Sequence, residues 1–285
     1  MKDALKIGIM CEYCVQHGAG KRWYLNARNL SKELATSELV RDFADSYFSR
    51  SISSGPDGFS DRISRVARQI LPGDRQKVEA RYRKYLHHQV VTTDEVMQIL
   101  KLCNDQTEAH GHSVVRFPCI CRYQALGREK NLHCFGVAFT DIYTKRFPDY
   151  LGGQHEYLTP DEAAEIIVKM ADEENVVHAV SALGVPYIGM LCNCDMDVCR
   201  PYLHRLRLGI SEPFHKGHSV IFVNEQKCVG CGVCEQVCPF GAIMVDSESG
   251  VTKVRTEMCY GCGVCSRNCP EQALELEKVQ RISDF

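Results

Sequence analysis

Eight cysteines stand in one spacing written twice. Cys228, Cys231, Cys234 and Cys238 are followed by Pro239, and Cys259, Cys262, Cys265 and Cys269 by Pro270. Both runs read C-x2-C-x2-C-x3-C-P, a bacterial ligand run for [4Fe–4S] clusters in which the fourth cysteine ligates the other cluster. A cubane needs four thiolates converging on one compact object, and three cysteines two residues apart can wrap it. The spacing therefore assigns Cys228, Cys231, Cys234 and Cys269 to one cluster, and Cys259, Cys262, Cys265 and Cys238 to a second. Zinc knuckles also use C-x2-C pairs, but they take two pairs across a longer spacer rather than an unbroken run of four. The chemistry implied is the carriage of single electrons.

Nine cysteines remain upstream. Cys11 and Cys14 make C-x2-C; Cys119 and Cys121 make C-x-C with Arg122 behind them; Cys134 follows. Cys192 and Cys194 make a second C-x-C, with Cys199 after it. Cys103 stands alone in an expected helix and reads as a small buried apolar residue. The other eight suffice for two more cubanes, or for one cubane with thiols to spare.

The segments around them carry a resemblance. PCICR (118–122), Cys134, TPDEAAEIIVKMADEENVVHAV (159–180), LCNCDMDVC (191–199) and CEYCVQHGAGKRWYLNARNLS (11–31) resemble a group of 4Fe–4S dicluster proteins of anaerobes. These are iron–sulfur proteins of the bacterial two-cluster ferredoxin type with upstream PCxCR and CNC segments. The resemblance spans most of the chain and implies further clusters. On it rests an expected third cubane on Cys119, Cys121, Cys134 and Cys194, and a fourth on Cys11, Cys14, Cys192 and Cys199. Relatives often continue the last segment as ICNCCxCC; here Asp195 and Val198 break that pattern, so the ligand set departs from theirs.

The elements that must position these residues read as α+β. A mixed, mainly helical cysteine-containing domain is expected over 1–219, followed by a two-[4Fe–4S] ferredoxin-like domain over 220–285. Apolar spacing predicts a helix over 26–50, further helices over Asp61–Ile70 and Gln76–His87, and another opening at Thr93. Residues 5–14 and Val114–Cys121 read as strands, the latter broken by Pro118. Thr159-Pro160-Asp161-Glu162 is a helix start with a capping threonine and proline at the first position. That helix is expected to run to about Asn175, with strands at Val176–Val180 and Val220–Val223.

With 285 residues, 45 % of them apolar and 25 % charged, the chain is an ordinary globular one, and it contains no apolar run long enough to span a membrane. The many cysteines with no secretory leader point to a reducing cytoplasm, and exposed clusters to an anaerobe. Arg62, Arg65, Arg68, Arg75, Lys77, Arg81, Arg83 and Lys84 form a basic stretch, read as a solvated helix face; nucleic acid is an improbable partner. Gly18-Ala19-Gly20-Lys21-Arg22 fails as a phosphate loop, no G-x-G-x-x-G follows a strand, and Cys14-Val15 excludes c-type haem attachment. His110, His112, His87 and His88 read as surface histidines.

The expectation is an electron-transfer component of an oxidoreductase system, relaying electrons to a partner redox protein. The alternatives are a redox enzyme or reductive activase working at an upstream cluster, and an iron–sulfur redox sensor.

Overall fold

The computed structural model describes residues 11–52, 72–103, 112–126, 131–145, 151–210 and 212–279. The expected helix over Asp61–Ile70, the first residues of the expected N-terminal strand, and His110 lie outside these.

Six strands form one sheet: β1 (Leu86–Val90), β2 (Val114–Phe117), β3 (Cys134–Val137), β4 (Glu156–Leu158), β5 (Val177–Leu183) and β6 (Val185–Cys194). Their order is β1-β5-β6-β3-β2-β4, and every neighbouring pair is antiparallel. Side chains alternate between faces along each strand. Phe135, Leu191, Val180 and Gln89 lie in one cross-strand row and face one side. Cys134, Cys192 and Ala179 lie in the next row and face the other, as does His88.

The first face is covered by the helices Thr93–Leu102 and Pro160–Glu174, whose Val96, Ile99, Leu100, Ile167 and Met170 join Val180, Leu191 and Phe135 in one buried cluster. Both helices begin at a reciprocal capping box, Thr92 with Glu95 and Thr159 with Glu162. The second helix and its cap are as expected from the sequence, ending at Asn175 in the left-handed conformation. The opposite face packs Phe43 and Val40 against Phe117, Met190 and the cysteines.

Four expectations about local structure are corrected. Residues 26–50 are not one helix: short helical turns at Ala27–Leu30 and Lys32–Ala35 precede Glu38–Ile52. The breaks fall where Asn26, Ser31 and Ser37 turn their side chains onto the backbone N–H groups of Arg28, Leu34 and Val40; short polar residues favour caps over helix interiors. The strand from Val114 ends at Phe117, and Ile120–Leu126 is helical. Cys11 and Cys14 sit at a short helix, Glu12–His17, rather than on a strand. His87 and His88 belong to β1, because the basic helix Pro72–Tyr85 ends before them.

The C-terminal unit repeats one plan. The strands β7 (Ser219–Val223) and β10 (Leu274–Lys278) pair antiparallel, as do β8 (Ile243–Val245) and β9 (Thr252–Val254). Short helices Val233–Val237 and Val264–Arg267 each follow a glycine at positive φ. This unit docks on the body through Arg267, which donates to Thr93 Oγ1 and the Val176 carbonyl, and Asn268, which donates to Asn175 Oδ1 at 2.6 Å.

Candidate iron–sulfur centres

In the C-terminal unit the fold draws the cysteines together across the two runs. Cys228, Cys231, Cys234 and Cys269 line one cavity beside Thr252. Cys259, Cys262 and Cys265 share a second neighbourhood with Cys238, whose charge is felt at both Cys262 and Cys265. Each fourth cysteine thus lies with the opposite run. Backbone N–H groups point at the sulfurs: Ala242 N to Cys238 Sγ and Ala273 N to Cys269 Sγ, both at 3.3 Å. Gly261 has φ 69°, and a Cβ there would stand 2.0 Å from the Ser219 carbonyl oxygen, so only glycine brings the chain this close. Four converging thiols with amide donors are what a cubane requires, so the residues fit the group.

The two sets differ in exposure. Cys231 is exposed and Val229 beside it is 65 % exposed. Cys259, Cys262 and Cys265 are buried, and burial pushes the Cys262 thiol up to about 12.

A third group forms on the cysteine face of the sheet. Thiols meet in a line: Cys121 with Cys119, Cys119 with Cys134, Cys134 with Cys192, Cys192 with Cys194, and Cys194 with Cys199. His88 closes the line, its Nε2 3.9 Å from Cys194 Sγ. Each sulfur is placed by a different device. The corner between β2 and the helix Ile120–Leu126 sets Cys119 and Cys121. Register sets Cys134 opposite Cys192, and the pleat puts Cys194 on the same face. The helix Arg200–Leu208 starts at Cys199.

Ionisation alternates along this line. Hydrogen bonds from Cys121 and Cys134 hold Cys119 well below the usual thiol range, and those from Cys134 and Cys194 do the same for Cys192. Burial opposes ionisation of Cys199, but hydrogen bonds from Cys194 and His88 overcome it and bring that thiol to about 6. Cys121, Cys134 and Cys194 are pushed up by their ionised neighbours and by burial. Thiols packed this closely cannot all ionise without cations among them, whereas metal ions deprotonate coordinating thiols outright. Arg122 lines the same cavity with a buried Nε that has no hydrogen-bond partner. Its guanidinium lies 4.0 Å from both Glu174 and Asp195. An iron–sulfur cluster fits this donor set.

The structure brings Cys119, Cys121, Cys134 and Cys194 together, and adds Cys192, Cys199 and His88. It does not bring Cys11 and Cys14 to Cys192 and Cys199. The first pair packs with Trp23 and the buried cluster of the opposite face, so the sheet separates them. Cys11 and Cys14 meet His218 instead. His88, read from the sequence as a surface histidine, is buried at the thiols, and His218 was missed because a lone imidazole far along the chain has no spacing to reveal it. Cys103 is buried, its thiol donating to the Ile99 carbonyl at 3.3 Å, as a structural cysteine would.

Paired cysteine runs, crossed between halves and backed by amide donors, define an iron–sulfur unit of ferredoxin type. Residues 218–276 match the family model described as a 4Fe-4S dicluster domain. An uncharacterised ferredoxin of Methanocaldococcus jannaschii is 31 % identical over 85 residues, covering 29 % of this chain and 48 % of the relative. Ferredoxin-1 of Caulobacter vibrioides is 43 % identical over 35 residues, 12 % of this chain and 31 % of the relative. The chain therefore spans about half the length of the first of these relatives and about a third of the second. No helix among the described residues is long and apolar enough to cross a membrane.

Proposed function

We propose that the chain is an electron-transfer protein that conducts electrons between the buried cysteine group of its body and the exposed end of its dicluster domain, where it serves a partner redox protein. On this reading residues 1–219 are the body and 220–285 the dicluster domain, with [4Fe–4S] clusters on Cys228, Cys231, Cys234 and Cys269, and on Cys259, Cys262, Cys265 and Cys238. A further cluster takes its ligands from Cys119, Cys121, Cys134, Cys192, Cys194 and Cys199. Bound in these places, the clusters supply one-electron carriers.

The observation that carries the reading is a single apolar layer joining two of the thiol groups. Cys194, Cys199, Cys238 and Cys262 belong to one buried cluster with Tyr202, Phe214, Phe240 and Tyr260. Tyr202 stands near enough to both groups for its hydroxyl to feel Cys238 and Cys199. The rings exclude water between them: Phe240 stacks on Tyr260 at 4.2 Å, and Tyr202 meets Phe240 edge-on at 5.3 Å. A dry, packed bridge keeps electron carriers close and their surroundings from reorganising. The exposed Cys231 end is where a partner can approach.

Reduced protein is expected to pass electrons to a ferredoxin-accepting protein, and Val229→Glu to slow that transfer several-fold with iron content unchanged. Absence of any transfer, or an unaltered rate in Val229→Glu, would sink the proposal. One observation favours a redox enzyme as a second reading: the buried group holds more thiols than the four a cubane uses. A small molecule that perturbs the EPR signal of that group alone would favour it.

A further inference from the structure

The sheet has a second cysteine site on its opposite face, and its geometry is not that of a cubane. Cys14 Sγ lies 3.3 Å and Cys11 Sγ 3.6 Å from His218 Nε2. All three donor atoms fall within 4.8 Å of one another. A tetrahedral ion with metal–sulfur bonds of about 2.3 Å and metal–nitrogen bonds of about 2.0–2.1 Å separates its sulfur and nitrogen ligands by roughly 3.6 Å. The two observed separations bracket the lower side of that edge.

The imidazole is turned to ligate. Trp23 Nε1–H can only donate, and it donates to Gln89 Oε1 at 2.7 Å. That fixes the Gln89 amide, so its Nε2–H group faces His218 Nε2 at 3.2 Å and the Lys216 carbonyl at 3.1 Å. An amide nitrogen donates and does not accept. His218 Nε2 therefore carries a lone pair, on the same atom that faces both sulfurs. A bound ion would take that lone pair in place of the Gln89 N–H.

The site is also accessible. The site opens on a cavity of about 760 Å³ lined by Cys11, His87, Gln89, His215 and His218. His87 is held in its wall between the rings of Tyr13 at 3.8 Å and His215 at 4.2 Å. Its buried Nε2 has no hydrogen-bond partner. Water or a small molecule entering the cavity would satisfy this atom.

We propose that Cys11, Cys14 and His218 hold one tetrahedral transition-metal ion of the zinc class, whose fourth position faces this cavity. Two soft thiolates and an imidazole suit zinc, and three protein ligands with one position left open is the pattern of a site that binds a small molecule. His218 immediately precedes β7, the first strand of the C-terminal unit, so the ion also fastens that strand to the N-terminal segment. The assignment replaces a fourth cubane on Cys11 and Cys14, and it does not depend on the electron-transfer reading.

The test is metal analysis of the anaerobically purified full chain. About one zinc per chain is expected beside the iron, with X-ray absorption at the zinc edge showing two sulfur neighbours and at least one nitrogen. His218→Ala is expected to lower zinc at least tenfold with iron and sulfide unchanged, the iron content serving as the check on folding. Cobalt(II) exchanged into the site is expected to shift its visible bands on addition of azide. No zinc above background, four sulfur neighbours, or loss of about four irons in Cys14→Ser overturns the proposal; an azide-silent cobalt spectrum overturns the open position. Should His218→Ala fail to fold, the absorption spectrum of the wild-type chain decides.

Discussion

Cys134 and Cys192 stand directly opposite each other on neighbouring antiparallel strands, β3 and β6. Two residues so placed hold their Cβ atoms about 5 Å apart by register alone. The centre of the buried thiol group is thus built into the sheet, and the C-x-C corner and Cys199 close around it.

Cys134→Ser tests that centre. Wild-type protein is expected to carry about twelve irons, four for each of three cubanes. The variant is expected to lose about four, while the EPR of the dicluster domain remains. Iron and sulfide analysis with EPR of the reduced state reads both.

Arg122 offers an electrostatic test. Its side chain is only 11 % exposed beside the buried thiols. A cation there favours the reduced, more negative state of a bound cluster. Arg122→Met is expected to move that cluster's potential downward and leave the other two in place, as followed by a redox titration.

Two glycines separate contact from conformation. Gly232, at φ 78°, has open space where a Cβ would go. Gly232→Ala is expected to cost about 1–2 kcal/mol for the left-handed backbone. Gly261→Ala adds a collision with the Ser219 carbonyl and is expected to cost more than about 3 kcal/mol. Urea midpoints and iron retention rank the two.

His178 makes stability depend on pH. Burial, aided by the Arg267 charge, lowers its pKa to about 4. In the unfolded chain it titrates near 6.5, so between about pH 6.5 and 4 the unfolded state takes up a proton that the folded state refuses. The contribution is fully present above that window and is lost as pH falls through it, on the order of 3 kcal/mol at the acid end. His204, lowered to about 4 by burial and then by Arg200, adds to the same slope. Urea midpoints of wild type between pH 7.5 and 5 are expected to fall, and His178→Gln to flatten the curve.

What the sequence disclosed follows from how local each signal is. Eight cysteines lie in two short runs, so the chemistry they suggest is written in spacing that no tertiary contact can hide. The helix Pro160–Glu174 was legible because Thr159, Pro160 and Glu162 fix its start. The strand β6 was not: VPYIGMLCNC mixes proline, glycine and a continuous apolar run, and lacks the alternation that marks a half-buried strand. Without β6 the meeting of Cys192 with Cys134 could not be foreseen. Cys11 and Cys14 were read as candidate ligands, yet their neighbour His218 lies two hundred residues away, and only the fold joins them.

If the buried thiol group holds a cluster as proposed, its burial constrains the order in which the protein is made. Cys119, Cys121, Cys134, Cys192 and Cys199 are each under 10 % exposed. A preassembled iron–sulfur core is rigid and cannot pass through a closed wall. On the proposed reading, delivery would have to reach the nascent β2 corner and β6 while they are still apart. The Cys231 end stays open to solvent and can be charged last. On the proposed reading, maturation would run from the inside outward, and a chain that folded ahead of its iron would seal the inner group empty.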